Sequence, residues 1–228
     1  MIALLLATRN VHKAQEIRQI LGDTCTCVTL NEFPQAPGIV EDANSFAGNA
    51  TKKSVPLAKW LSQLGPEQTR AAWVLADDSG LEVDALGGAP GVHSARFAAV
   101  GKASSANSSD SENNAKLLDL LKSIPAEKRT ARFRCVLALT PVLQVRAEMA
   151  SPVCSLDENE FDTELFEGTC EGWIAFGPRG DGGFGYDPLF VPNGYDKTFA
   201  QLGEEIKNRL SHRAKALELL KQRLSKLI

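Results

Sequence analysis

"VLADDSGLEVDALGGAPGVHSARF", residues Val74 to Phe97, follows an apolar run with two adjacent carboxylates, a serine and a glycine, and soon afterwards with the small and rigid run GGAPG. The apolar run reads as a buried strand that ends at Asp77 and Asp78. Neighbouring strand residues point to opposite faces, so one carboxylate should face a site and the other should point away or stand behind it. A carboxylate at such a strand end can hold a magnesium ion, which takes oxygen ligands and keeps waters that bridge to phosphates. An Asp-Asp-Ser-Gly surface turn is the plain alternative. The residues just downstream weaken that alternative: Glu82, Asp84, the glycine run and "SAR" ending at Arg96.

Outward from that stretch, strands alternate with helices, the pattern of an α/β domain. "IALLLA", Ile2 to Ala7, reads as a buried first strand, and His12 to Leu21 places Ile17, Ile20 and Leu21 at helical spacing. Ser45 to Leu64 carries Phe46, Ala50, Leu57, Leu61 and Leu64 on one face, with Pro56 expected to kink or divide the helix. Asn113 to Ile124 reads as a helix stopped by Pro125, "ARFRCVLALT" as a half-buried strand, and Trp173 to Phe176 and Pro188 to Val191 as short strands. Ser211 to Ile228 is spaced for a terminal helix with Ser211 as its N-cap. Val145 to Leu165 is polar and weakly patterned, an insertion or hairpin tip. No internal repeat or linker divides the chain, so one domain over 1–228, possessing two lobes, is expected.

Composition excludes several classes. With 228 residues, 43% of them hydrophobic, the chain can bury a full core, and a formal net charge of −3 gives no general field for a nucleic-acid backbone. A phosphorylated small molecule suits a local basic cluster better. The opening apolar segment is far shorter than the ~20 residues that span a bilayer, so no membrane is expected. Five scattered cysteines, without paired Cys-x-x-Cys spacing, point to reduced thiols in cytoplasm.

Three further polar stretches carry chemistry. "ATRNVHK", Ala7 to Lys13, passes from a strand into a helix, where free N–H groups and the helix dipole favour an anion. Thr8 and Asn10 offer hydrogen bonds and Lys13 a charge, although a simple helix cap explains them as well. "GPRGDGGFGYDP", Gly177 to Pro188, lets a backbone approach a ligand closely and offers Phe184 or Tyr186 for a base to stack on. "EEIKNRLSHRAKAL", Glu204 to Leu217, clusters Lys207, His212 and Arg213 ahead of the terminal helix.

Taken in order, "LLLATRNVHKAQEI", "SFAGNATKKS", "LADDSGLEVDALGGAPGVHSARF", "ARFRCVLAL", "EGTCEGWI", "GGFGYDPLF" and "EEIKNRLSHRAKAL" cover nearly the whole chain. That ordered set resembles the inosine triphosphate pyrophosphatase family of non-canonical purine nucleotide pyrophosphatases. The resemblance implies an elongated, twisted mixed sheet with flanking helices, two lobes around a central cleft, and a homodimer. It implies release of pyrophosphate from ITP, dITP or XTP with magnesium. Residue by residue, it puts the triphosphate on Thr8, Arg9, Asn10, Val11, His12, Lys13, Lys53 and the Asp78–Ser79 pair. Asp78 resembles the general base and metal-linked carboxylate, and Glu41 the second acidic position for magnesium. Phe184, Gly185, Tyr186 and Asp187 resemble the base-binding stretch, with Lys207, His212 and Arg213 closing over it and Arg96 a further addition. The chain departs from the family at Arg9, often glycine, at Gly48, often glutamate, and at Trp173, often arginine. The stretch Glu148 to Glu164 looks longer than usual.

Attack of water on a triphosphate meets several negative oxygens, so cations must neutralise the chain while a carboxylate orients the water. A carboxylate of ordinary pKa ~4 is a weak base, and metal coordination should supply much of the activation. Asp78 is expected to be that carboxylate, with Asp77 in reserve. A nucleotide-binding module without hydrolysis would use the same lysines and glycines but would not need the metal carboxylate. A dinucleotide-dependent oxidoreductase ranks last, because its glycine fingerprint belongs between an early strand and a helix.

Overall fold

The computed structural model of the chain describes residues 2–64, 71–101, 107–143 and 161–227. Strand β1 is Ile2–Leu6, β2 is Cys25–Thr29 and β3 is Trp73–Val83. β4 is Thr130–Pro141, β5 Glu164–Ile174 and β6 Phe190–Pro192. They form one six-stranded sheet in the order β2-β1-β3-β4-β5-β6. β1 runs parallel to both neighbours, with Ile2 opposite Cys25 and Leu4 opposite Trp73, whereas β5 and β6 are antiparallel. With five α-helices among the described residues, the class is the expected mixed α/β.

β3 corrects the expectation that its strand stops at the carboxylates, because it continues through Asp77, Asp78, Ser79 and Gly80 to Val83. A strand tolerates buried carboxylates wherever each one meets a cation, and both do here. β5 likewise begins well before the expected strand at Trp173, and Phe176 lies beyond its end. Its buried positions are Gly168, Cys170, Gly172 and Ile174, so the apolar alternation is hidden by glycines. Those glycines have a steric cause: a Cβ on Gly168 would sit 2.1 Å from the His212 carbonyl oxygen, and one on Gly172 2.2 Å from that of Val191. β2 was not expected either, since "CTCVT" is short and half polar.

The helices are α1 (Val11–Leu21), α2 (Phe46–Gln63), α3 (Asp110–Leu121), α4 (Phe199–Leu210) and α5 (His212–Leu224). α2 is one continuous helix, and Pro56 does not divide it. A mid-helix proline costs about 3 kcal/mol; burial of Leu57 and Leu61 at ~1.5–3 kcal/mol each offsets it. α3 starts ahead of the expected Asn113, where Ser109 and Glu112 form a capping box. α4 was not expected, and Gly203 at φ 80° interrupts its periodic signal. Ser211 caps α5 as expected, its Oγ accepting from the Ala214 N–H at 3.1 Å. Among the described residues no helix is long and apolar enough to cross a membrane.

The chain gathers into two compact units. The first comprises Met1–Asp78, Val136–Phe166 and Leu217–Ile228, the second Ser79–Cys135 and Glu167–Ala216. In the first unit Leu4, Leu5, Leu6, Ile17, Leu57, Leu61 and Leu75 are buried. The second has its own core of Leu81, Phe97, Leu117, Phe133, Phe190 and Phe199, in which the Phe190 and Phe199 rings stack at 5.4 Å. Most of the polar stretch Val145 to Leu165, including Cys154, lies outside the described residues.

Candidate active site

In the first unit, α2 presents Asn49 and Lys53 four residues apart on one face, both turned to the end of the unit's share of β3. Lys53 Nζ donates to Asp78 Oδ1 at 2.8 Å and to the Asp77 carbonyl at 3.1 Å, and pairs with Glu41 Oε2 at 2.8 Å. Asn49 Nδ2 donates to the other Asp78 oxygen at 3.3 Å, while its Oδ1 accepts from the Ala43 N–H at 2.9 Å and ties down the loop that carries Glu41. Asp77 points elsewhere, as strand alternation requires, and Lys13 Nζ from α1 meets its Oδ1 at 2.6 Å. Asp77, Asp78 and Lys53 are only 4%, 6% and 6% exposed.

Burial pushes the Asp78 carboxyl above its ordinary range, and the nearby Lys53 and Lys13 ammoniums do not fully bring it back. Burial also works against the Lys53 ammonium, yet Asp78 and Glu41 outweigh it and hold the lysine above its ordinary value. Lys53 therefore stays a cation between two carboxylates.

The loop before α1 is held by its own side chains. Thr8 Oγ1 accepts from the Asn10 N–H at 3.1 Å, and Asn10 Oδ1 accepts from the Lys13 N–H at 3.0 Å, capping α1. Arg9, Val11 and His12 are exposed on this loop and first turn. So Lys13, Lys53, Glu41, Asp77 and Asp78 come together, and Arg9, Val11 and His12 are exposed at the start of α1.

Glu41 and Asp78 converge on a single cationic nitrogen, so the same pair of hard oxygen donors fits magnesium, which needs only one or two carboxylates and otherwise keeps water. Among the described residues no three His, Cys, Asp or Glu side chains converge to form an all-protein metal cage. Position 48 adds no carboxylate: a Cβ there would press Ala43 Cβ at 2.8 Å and Ser45 Oγ at 3.0 Å.

In the second unit the glycine-rich loop folds around Asp187. Its Oδ2 accepts from the Phe184 N–H at 2.9 Å and from Lys207 Nζ, of α4, at 2.6 Å. A Cβ on Gly183 would fall 2.2 Å from that same oxygen, which explains the glycine there. Lys207 Nζ sits 4.2 Å from the Phe184 ring centre and the Arg213 guanidinium 5.9 Å from it. Arg213 also donates to Ser79 Oγ at 2.9 Å, and the His212 ring stacks on Phe133 at 4.7 Å. Tyr186 is a core residue whose hydroxyl donates to the Ser94 carbonyl at 2.9 Å, and burial pushes that phenol well above its ordinary value. Ser94 in turn donates to the Gly91 carbonyl at 2.6 Å and accepts from the Leu81 N–H at 2.9 Å, so the GGAPG run is tied to β3 and to Tyr186. Arg96 stands half-buried at a kink between two 3-10 turns.

Residues that the sequence reading passed over include Asn49, Asp110 and Asn114. Asn49 was legible as the residue one helical turn before Lys53. Asp110 and Asn114 gave no signal in the sequence, because their partner, Gly185, is remote along the chain.

A family model described as the Ham1 family matches residues 4–223. A dITP/XTP pyrophosphatase of Desulforamulus reducens is 44% identical, over 98% of this chain and 96% of that protein. One of Geobacter sulfurreducens is 44% identical over 98% and 97%. Among solved structures, a HAM1 protein from Coxiella burnetii is similar with a TM-score of 0.77 at 35% identity, covering 99% of this chain and 100% of that one. The Ham1 protein of Staphylococcus aureus has a TM-score of 0.75 at 34% identity, covering 99% and 100%.

Proposed function

Because this chain belongs to the Ham1 family, we propose that it is a nucleoside triphosphate pyrophosphatase that converts dITP, ITP and XTP to the monophosphate and pyrophosphate. The observation that carries the reading is the buried ammonium of Lys53 between Asp78 and Glu41, with Lys13 and Asp77 beside it. Such a cluster offers both the cations that a triphosphate needs and a carboxylate for water.

In this mechanism Lys13, Lys53 and the N–H groups at the start of α1 bind the phosphates. Thr8, Asn10 and Ser79 add hydrogen bonds, and Arg9 and His12 add charge at the entrance. Glu41 and Asp78 would hold magnesium, which supplies charge neutralisation on the phosphates and activation of the attacking water. Asp78 orients that water and receives its proton. Phe184 stacks the purine, Gly185 lets the backbone come close, and Asp187 fixes Lys207 as a donor toward a 6-keto oxygen, with His212 and Arg213 completing that side. A 6-amino group would meet a donor with a donor, and a buried donor left unmatched costs ~1–3 kcal/mol. The family reading extends to a cytoplasmic homodimer that acts on free nucleotides, away from membranes and nucleic acid.

The test is a panel of dITP, XTP, dGTP and dATP, with and without excess chelator, followed by separation of the products. Monophosphate and pyrophosphate in equal amounts, faster from dITP and XTP and abolished by the chelator, is the expected result. Tight binding without turnover makes the protein a nucleotide-binding module. A nucleoside diphosphate product moves the cleaved bond, and full turnover under chelation removes the metal from the mechanism.

A further inference from the structure

The peptide of Gly185 is gripped at both ends by one helix of the same unit. Its N–H donates to Asp110 Oδ2 at 2.6 Å, and its carbonyl accepts from Asn114 Nδ2 at 3.0 Å. Asp110 and Asn114 stand four apart on α3 and so share a face. On the adjoining side of that helix Asn113 accepts from the Ala98 N–H at 2.8 Å and donates to the Ala95 carbonyl at 3.3 Å, which fixes the segment holding Arg96. Gly185 has φ 63°, a conformation that L side chains rarely adopt, and the two bonds hold it there. The next residue back is Phe184, whose own N–H is bound by Asp187.

We infer that Asp110 and Asn114 are positioning residues for base recognition, a role that rests on the reading of Phe184 and Lys207 as the purine site. Neither touches the base. They hold the Gly185 backbone, and Asp187 holds the Phe184 N–H, so the backbone that carries the Phe184 ring is fixed with the ring beside Lys207. A stacking ring held before the substrate arrives costs no ordering on binding. The Asn114 amide is oriented by its bond to the Gly185 carbonyl, which needs a donor; its Oδ1 is left buried without a hydrogen-bond partner. That is a cost the helix bears in order to keep the grip.

The experiment uses the full chain and four variants, Asn114→Ala, Asn114→Asp, Asp110→Ala and Asp110→Asn, with Ser109→Ala as a control. Ser109 caps α3, and its hydroxyl bonds to Glu112 and Ser111 of the same helix. Steady-state kinetics with dITP and dGTP give kcat and KM, isothermal calorimetry gives the affinity for inosine monophosphate, and thermal melts report stability. Asn114→Ala and Asp110→Ala are expected to raise KM for dITP and dGTP alike and to weaken inosine monophosphate about tenfold, with kcat within twofold. Asp110→Asn, which keeps an acceptor, should restore most of the affinity, and Asn114→Asp, which loses the donor, should not. Ser109→Ala should lower the melting temperature alone. The proposal is overturned if the grip variants leave KM and monophosphate affinity unchanged, if they lower kcat instead, or if Ser109→Ala moves KM as far as they do. An inactive wild-type protein that still binds inosine monophosphate would sink the proposed reaction but leave this inference standing on the affinity data.

Discussion

Asp78 and Asp187 are both carboxylates less than a tenth exposed, one in each unit, and each takes a lysine as partner. Their surroundings differ. Asp78 is bound by side chains, Lys53 and Asn49, in a cluster that also draws in Glu41, Lys13 and Asp77. Asp187 binds a backbone N–H as well as Lys207, and the structure around it is a matter of loop shape: Gly183 with no room for a Cβ, Gly185 gripped from α3, Ser94 tying Tyr186 to the GGAPG run. A cluster of charged side chains can neutralise and move protons. A shaped backbone can only place groups. On the proposed reading the charged cluster of the first unit serves the phosphates and the shaped loop of the second serves the base, so damage should fall on kcat in one and on KM in the other.

The largest expected break is in the first unit. Asp78→Asn keeps the shape and the acceptor for Lys53 but removes the proton acceptor, and should cut kcat by ~100-fold or more while KM changes little. The fold should survive. Because burial holds this carboxyl above its usual 3.8, the folded chain binds that proton more tightly than the unfolded chain. Its contribution to stability is therefore fullest below pH 3.8 and falls as pH rises through the folded value. Melts of the metal-free protein across that range should show the fall in the wild type and a flatter profile in Asp78→Asn. Near-normal turnover in a well-folded variant would shift the role to Asp77 and erase the contrast.

A smaller effect is expected in the second unit. Phe184→Leu removes the stacking ring but leaves the loop bonds, and since a stacked base is worth ~1–3 kcal/mol, KM should rise roughly tenfold for every purine alike with kcat retained. Loss confined to kcat would mean that this ring serves the chemistry and would collapse the division of labour.

The smallest concerns thiols. Cys25 and Cys27 in the first unit lie with sulfurs 3.7 Å apart; the bond from Cys25, aided by Arg18, brings the Cys27 thiol below its ordinary value. In the second unit burial, with the Glu171 carboxylate adding to it and Lys215 opposing it, pushes Cys170 up to about 11. Iodoacetamide at mildly alkaline pH, read by peptide mass, should label Cys27 well before Cys170, because the thiolate is the reactive form. Equal rates would show that the two units do not differ in this respect.

The sequence alone was enough for the class and for several of the charged side chains that the structure brings into contact. Regular periodicity marked α1, α2 and α5, an unbroken apolar run marked β1 and the start of β3, and "DDSG" and "GGFGYDP" named residues that the structure does bring into two clusters. These features are local, and local patterns survive in a one-dimensional reading. What only the tertiary structure decided is non-local. β3 runs on through Asp77 and Asp78 because Lys13 and Lys53, from two other elements, neutralise them. β5 hides behind Gly168 and Gly172 because α5 and β6 approach too closely for a side chain. Which carboxylate meets which lysine, and the grip of Asp110 and Asn114 on Gly185, depend on groups far apart along the chain meeting within about 3 Å, as hydrogen bonds demand; no spacing in the sequence encodes that distance, and only the packed core sets it.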